Sequence, residues 1–252
     1  MSPEIPPQSK SLGKGLFFPT ISLSGPEQMA TDVMILEKHM KNQDISIGLR
    51  FYRWKGFWLS LGKNQTFLPE NWNKLVKEKK IQLVRRPSGG NAVLHGGGLT
   101  YCLIWISPPR KKREAYYLAS QWLINGFSKL GLPLKFGSES PNSLEKNCFA
   151  TATFADLVDP NGEKRIGSAQ LWRKGHLLQH GEILLDPPNK LWMEVFKTKA
   201  PEPASKRIPR KGLDDLLQKA CCAFWPKLEW GIDNFTQKEL KIIAEKSKEY
   251  SL

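Results

Sequence analysis

Long hydrophobic runs are missing from this 252-residue chain: no apolar segment approaches the roughly 18 residues that would span a bilayer. The N-terminus also lacks the continuous apolar stretch of a secretion signal, so the expected setting is the cytoplasm, with no membrane partner. Cysteine is scarce. Its four copies, Cys102, Cys148, Cys221 and Cys222, show no Cys-x-x-Cys spacing, and the adjacent pair cannot easily close a normal bridge. Neither a metal site nor a disulfide framework is expected. Acidic residues are few as well: 24 against 38 basic ones leave a formal charge of +14. Such an excess suits nucleic acid, an anionic membrane surface or an acidic protein. Much of it is dispersed, as at Lys77-Glu78-Lys79-Lys80, while Arg110-Lys111-Lys112-Arg113 is the one compact basic cluster.

What is present describes a globular protein. Hydrophobic content is 40%, with nine tryptophans, and the length allows one large domain or one with a small appendage. Residues 1–20 hold four prolines and little periodicity, which reads as a loose arm. Helical spacing follows over 26–40, then strands over 45–52 and 57–62 and a helix over 69–79. Strand 99–105 and the amphipathic helix 114–130, stopped by Gly131, come next. An irregular stretch, 135–147, leads to strands over 154–158, 164–172 and 176–185, with Asp159-Pro160-Asn161-Gly162 as a turn. A short helix over 191–196, a basic connector over 200–212 and helices over 213–224 and 237–249 complete the chain. Thr236 and Glu239 form a capping box for the last helix. Strands and helices mix without regular βαβ alternation, which predicts an α+β fold with a central mixed, largely antiparallel sheet flanked by helices.

One stretch stands out. Arg85-Arg86-Pro87-Ser88-Gly89-Gly90-Asn91-Ala92-Val93-Leu94-His95 leaves an apolar strand, turns on paired glycines and enters a second apolar run. Gly-Gly after a strand lets the backbone turn sharply and expose amide N–H groups, and two adjacent arginines offer forked donors to a carboxylate, phosphate or polarised carbonyl. Gly-Gly alone describes an ordinary hairpin; the further cluster Gly96-Gly97-Gly98 tips the reading towards a binding loop. Cys148 ends a polar, irregular segment beside a strand. A free cysteine is commonly a small buried hydrophobe, but the strands that follow carry polar residues where a core would not want them. Alternation puts Lys164, Ile166, Ser168 and Gln170 on one face, and the next strand supplies Gln179, His180, Gly181 and Glu182. A lysine near Cys148 would favour the thiolate, the form that attacks carbonyls; by position alone Lys164 reads as an exposed hairpin lysine.

The segment Arg85–His95 followed by Leu99-Thr100-Tyr101 resembles the signature of the biotin/lipoate cofactor-transferase family. Gly167-Ser168-Ala169-Gln170 with His180-Gly181-x-Ile183-Leu184-Leu185 resembles its second signature. Leu49-Arg50-Phe51-Tyr52-x-Trp54, Leu59-Ser60-Leu61-Gly62 and Met29-Ala30-x-Asp32 are similar to earlier family motifs, so the likeness runs from about 25 to 188. Cys148-Phe149 with Lys164 ahead of Gly-Ser-Ala-Gln resembles the octanoyltransferases of that family. The resemblance implies the catalytic fold of the biotin/lipoate protein ligases and an acyltransferase that moves octanoate from acyl carrier protein, through a cysteine thioester, to a lysine of a lipoyl domain or glycine-cleavage H protein. It makes Cys148 the nucleophile and Lys164 the residue that orients the acyl carbonyl. Arg85, Arg86, Ser88, Gly89, Gly90, Asn91, Ala92, Val93 and His95, with Gly167, Ser168, Ala169, Gln170, His180 and Gly181, would line the acyl pocket. No cofactor is then required.

The alternatives are an ATP- and Mg-dependent lipoate–protein ligase acting through an acyl-adenylate, and a non-catalytic relative. A biotin ligase lacks its glycine-arginine-glycine loop here, and a nucleic-acid-binding protein would leave both signatures unexplained. Two positions depart from the family pattern: Gly96 stands where an acidic residue commonly follows the histidine, and Ala152-Thr153-Phe154-Ala155-Asp156 replaces a Pro-Ser-aromatic-aromatic-Glu run. The expected organisation is an arm over 1–20, a catalytic domain over 21–200 and a basic connector with C-terminal helices over 201–252.

Overall fold

The computed structural model of the chain describes residues 13–42, 44–138, 153 and 155–252. Among them the order is β1 (Lys14–Phe18), α1 (Gly25–His39), β2 (Ile45–Tyr52), β3 (Trp58–Leu61), α2 (Glu70–Lys77), β4 (Gln82–Arg85), β5 (Val93–His95) and β6 (Gly98–Trp105). Then come α3 (Lys112–Lys129), β7 (Lys135–Phe136), β8 (Leu157–Val158), β9 (Lys164–Arg173), β10 (His176–Leu184), α4 (Asn189–Phe196), α5 (Leu213–Phe224), β11 (Glu229–Ile232) and α6 (Gln237–Lys246). A 3-10 turn, Ser247–Tyr250, ends the series.

Eight of these strands form one sheet in the order β11-β1-β2-β6-β10-β9-β8-β7, and β4-β3-β5 form a smaller one. Only the β11-β1-β2 end of the large sheet is parallel; from β2 to β7 every pairing is antiparallel. This is the mixed, mostly antiparallel sheet that the residue pattern predicts. Helices cover both of its faces. Alternate residues of β6 point opposite ways: Leu99, Tyr101 and Leu103 pack with Trp122, Leu123 and Phe127 of α3 and Leu217 of α5. Cys102 and Ile104 pack with Met29, Val33 and Leu36 of α1 and Ile243 of α6. A third cluster joins the small sheet to α2 and α4 through Leu59, Leu61, Trp72 and Trp192.

Three elements differ from the sequence reading. The stretch over 1–20 was expected to be a loose arm, yet Lys14–Phe18 is a sheet strand held between β2 and β11. Its flanking prolines hide a five-residue run that gains its order from tertiary pairing. The connector after α5 contains β11, so the C-terminal residues complete the main sheet. The strand expected over 154–158 is only Leu157–Val158 among the described residues. The 139–152 segment, with Cys148 and most of the stretch expected to be irregular, lies outside the described residues.

Candidate active site

The glycine-rich loop is drawn onto the small sheet by its arginines. Arg86 donates to the carbonyls of Ser60 (2.8 Å), Gly89 (2.7 Å) and Asn91 (2.7 Å), and Arg85 donates to those of Gly62 (3.2 Å) and Gln65 (2.8 Å). These guanidinium donors thus meet main-chain carbonyls and shape the loop. The close approach depends on glycine: a Cβ at Gly62 would lie 1.9 Å from the Gly90 carbonyl oxygen, and Gly90 itself has φ +90°.

Beneath the loop lies a pocket that opens to solvent and encloses a cavity of about 60 Å³. Met29 from α1, Tyr52 at the end of β2, Trp54 after it, Ser60 from β3, Val93 and His95 from β5, Thr100 from β6, and Gly167 to Ala169 and His180 to Glu182 line it, with Arg86 and Gly90. Nine of the residues expected to form the acyl pocket therefore converge: Arg86, Gly90, Val93, His95, Gly167, Ser168, Ala169, His180 and Gly181. Arg85, Ser88, Gly89, Asn91, Ala92 and Gln170 do not line it.

Two buried histidines frame the pocket, each between a carboxylate and a serine. His95 meets Glu182 Oε2 through Nδ1 (2.9 Å) and Ser60 Oγ through Nε2 (2.8 Å), while its ring stacks on Trp54 at 4.1 Å. Burial pulls its pKa below the usual imidazole value, although Glu182 pushes the other way. A neutral ring donates Nδ1–H to the carboxylate and accepts the Ser60 hydroxyl at Nε2. Thr100 donates to the same Glu182 oxygen and accepts from the Trp54 indole at 2.7 Å. On the other side, His180 Nδ1 meets Asp32 Oδ2 (3.1 Å) and its Nε2 meets Ser88 Oγ (2.5 Å). Asp32 is also paired with Arg50 Nε (3.3 Å) and accepts from the Tyr52 hydroxyl (3.1 Å). Ser88 thereby ties the loop to β10 and, through Asp32, to α1.

Lys164 was expected, from position alone, at an exposed hairpin. It is buried instead, 4% exposed, with its ammonium 2.9 Å from Asp156 Oδ2. Simple alternation also stops short of it: Leu157 pairs with Ile166 but Val158 pairs with Lys164, so Arg165 is an extra residue in β9. Lys164 does not line the pocket; Gly167, which does, is three residues on, about 10 Å along the strand. Gln170 joins a chain of side chains on the α3 side: the Trp172 indole donates to Gln170 (2.9 Å), Gln170 to Gln179 (2.7 Å) and Gln179 to Tyr101 (2.8 Å), whose hydroxyl meets Ser168 (2.8 Å).

Sequence reasoning missed Ser60, Trp54, Thr100, Glu182, Asp32 and Asp156 as site residues. For Ser60 and Asp32 a signal existed, each being a polar residue inside an apolar run, and Glu182 belongs to the polar group Gln179-His180-Gly181-Glu182 within its strand; a core would not take such residues unpartnered.

Residues 24–221 match the family model of the lipoyl protein ligase A/B catalytic domain. The chain belongs to this family. Octanoyltransferase LipM of Lysinibacillus sphaericus (strain C3-41) is 36% identical over 197 residues, 73% of this chain and 70% of that protein. Octanoyltransferase LipM of Brevibacillus brevis (strain 47) is 34% identical over 215 residues, 80% and 75% of the two chains. Among solved structures in the family fold, a T. acidophilum protein with bound lipoic acid superposes with a TM-score of 0.78 at 20% identity, covering 94% of this chain and 95% of that one. Lipoate-protein ligase A bound with ATP gives 0.73 at 19%, covering 94% of each chain. The family's central mixed sheet flanked by helices is thus the fold of this chain. No helix among the described residues is long and apolar enough to cross a membrane.

Proposed function

We propose that the chain is an octanoyltransferase that takes an octanoyl group from acyl carrier protein onto Cys148 and passes it to a lysine of a lipoyl domain or glycine-cleavage H protein. The observation that carries this reading is the 36% identity to an octanoyltransferase over 197 residues; Cys148, Lys164 and the glycine-rich loop fall within the span 24–221 that the family model covers. The Cys148 thiolate attacks the carbonyl carbon of the donor thioester. A new C–S bond forms, the carrier C–S bond breaks, and the carrier thiolate leaves to take a proton. The acceptor amine then attacks the Cys148 thioester, the amide C–N bond forms, and the amine proton goes to solvent as the cysteine leaves. Exchange between thioesters is nearly neutral and thioester to amide is downhill, so no nucleotide is required.

Lys164 donates to the acyl oxygen as charge develops on it. The acyl tail extends into the pocket under the loop. The strand distance of about 10 Å between Lys164 and Gly167 suits an eight-carbon chain whose head is at the lysine and whose tail is in the pocket. Burying that tail against Met29, Val93, Trp54 and Ala169 contributes roughly 5 kcal/mol at ~0.8 kcal/mol per methylene, before losses.

The carrier protein is acidic, and the basic start of α3 is its dock. Tyr117 of α3 stacks on Phe136 of β7 (5.2 Å), Phe136 pairs with Leu157, and the next residue back is Asp156, the partner of Lys164. The dock therefore lies a few side chains from the lysine. The test is transfer to a lipoyl-domain lysine from octanoyl carrier protein with no nucleotide present. A reaction that stays silent until ATP and free octanoate are added would replace this reading with the ligase one.

A further inference from the structure

Resting on the octanoyl-transfer reading, we infer that Asp156 is a positioning residue of the reaction: its carboxylate fixes the place of the Lys164 head group. The geometry goes beyond what a counter-charge needs. One oxygen, Oδ2, receives the Lys164 ammonium at 2.9 Å, the Thr153 N–H at 2.8 Å and the Thr153 hydroxyl at 2.9 Å. The main chain of Asp156 is held at both ends as well. Its N–H donates to the Thr153 carbonyl (2.9 Å), and its own carbonyl accepts from Gly137 N–H (3.0 Å). Leu157, the next residue, pairs into the sheet with β9, the strand that carries Lys164. A short aspartate arm on an over-determined turn is a rigid post.

Lysine needs such a post. Its four-carbon stem has many rotamers and its ammonium no preferred direction, so a carbonyl-orienting lysine must be fixed by something outside itself. Asp156 and Lys164 are each 4% exposed, which leaves the pair little screening by water. Asp156 also lies eight residues after Cys148 in the sequence.

The experiment is single-turnover acylation by a small octanoyl thioester, with folding checked by thermal denaturation. Asp156→Asn keeps an acceptor oxygen for Thr153 but removes the anion; it should lower the acylation rate about tenfold to a hundredfold, the range for partners one step behind an active group, and change KM by less than about twofold. Asp156→Glu keeps the charge and displaces it by one methylene, so its rate should fall between those of Asp156→Asn and the wild type. In a Lys164→Ala background, Asp156→Asn should add less than about a twofold loss, because its effect runs through the lysine. A wild-type rate for Asp156→Glu, or an equal loss with and without Lys164, would overturn the positioning role and leave a purely structural ion pair. A wild-type protein that never takes up the octanoyl group would instead contradict the transfer reading itself.

Discussion

At the scale of single residues, buried polar groups govern both stability and the site. His39 is fully buried beside Gly48, with neither ring nitrogen hydrogen-bonded, and burial lowers its pKa from 6.5 to about 4 although Asp233 acts against the shift. The unfolded chain binds that proton near pH 6.5 and the folded chain only near 4, so stability is lost as pH falls through this window, by roughly 3 kcal/mol in all. Urea unfolding at pH 7.5 and pH 4.5 should therefore show a steeper loss in the wild type than in His39→Leu; parallel losses would contradict the assignment. At the pocket, His95→Ala strips the Glu182 carboxylate of one of its two donors, Thr100 being the other. About 2 kcal/mol of stability should go with it, the penalty for leaving a buried charged acceptor short of a partner. A loss below about 0.5 kcal/mol by the same measurement would mean that water or another donor replaces the imidazole. His95 was legible in the sequence because it closes the loop motif. Its pairing with Glu182 was not: the two lie 87 positions apart, and only sheet pairing of β10 with β6 brings Glu182 opposite Thr100.

Elements were read most easily where a single pattern decided them. Helix α1 and strands β2, β6 and β10 follow their apolar periods, and α6 begins at the expected capping box, with the Thr236 N–H donating to Glu239 (2.8 Å) and the Glu239 N–H to Thr236 (3.2 Å). Strands β1 and β11 escaped because four- and five-residue runs carry too little pattern; each is a strand only by virtue of its neighbour. Helix α3 carries an oddity that points to function. Lys111 occupies its N-cap and Lys112 and Arg113 its first turn, where the helix dipole is positive and cations are unfavourable. Replacing Arg110 to Arg113 by serine should leave stability unchanged or raise it by a few tenths to 1 kcal/mol. The same change should raise KM for octanoyl carrier protein and flatten its salt dependence, with a small thioester donor almost unaffected. Equal losses with both donors would show that the cluster supports the pocket or the fold instead of docking a partner.

For the whole molecule, the C-terminal residues act as a clasp on the catalytic sheet. Strand β11 pairs with β1, Lys38 of α1 bridges Asp233 (2.7 Å) and Glu239 (2.8 Å), and Ile243 of α6 enters the core beneath α1. Since α1 also carries Asp32, which holds His180 and through it the loop, loosening the clasp reaches the site. Ile243→Ala should cost about 2–5 kcal/mol in urea unfolding, the span for truncating a buried isoleucine; a cost under 1 kcal/mol would mean that α6 is dispensable to the core. The net charge of +14 and the absence of long apolar runs bounded the partners from composition alone, but the joining of loop, sheet and clasp into one support for the pocket is a property of topology that no local pattern encodes. The account's central claim is a covalent octanoyl intermediate on Cys148. Intact-mass measurement after incubation with octanoyl carrier protein, without nucleotide, tests it most directly. The mass should rise by one octanoyl group in the wild type and not in Cys148→Ala; an increment that persists in Cys148→Ala, or that forms only when ATP and free octanoate are supplied, would contradict it.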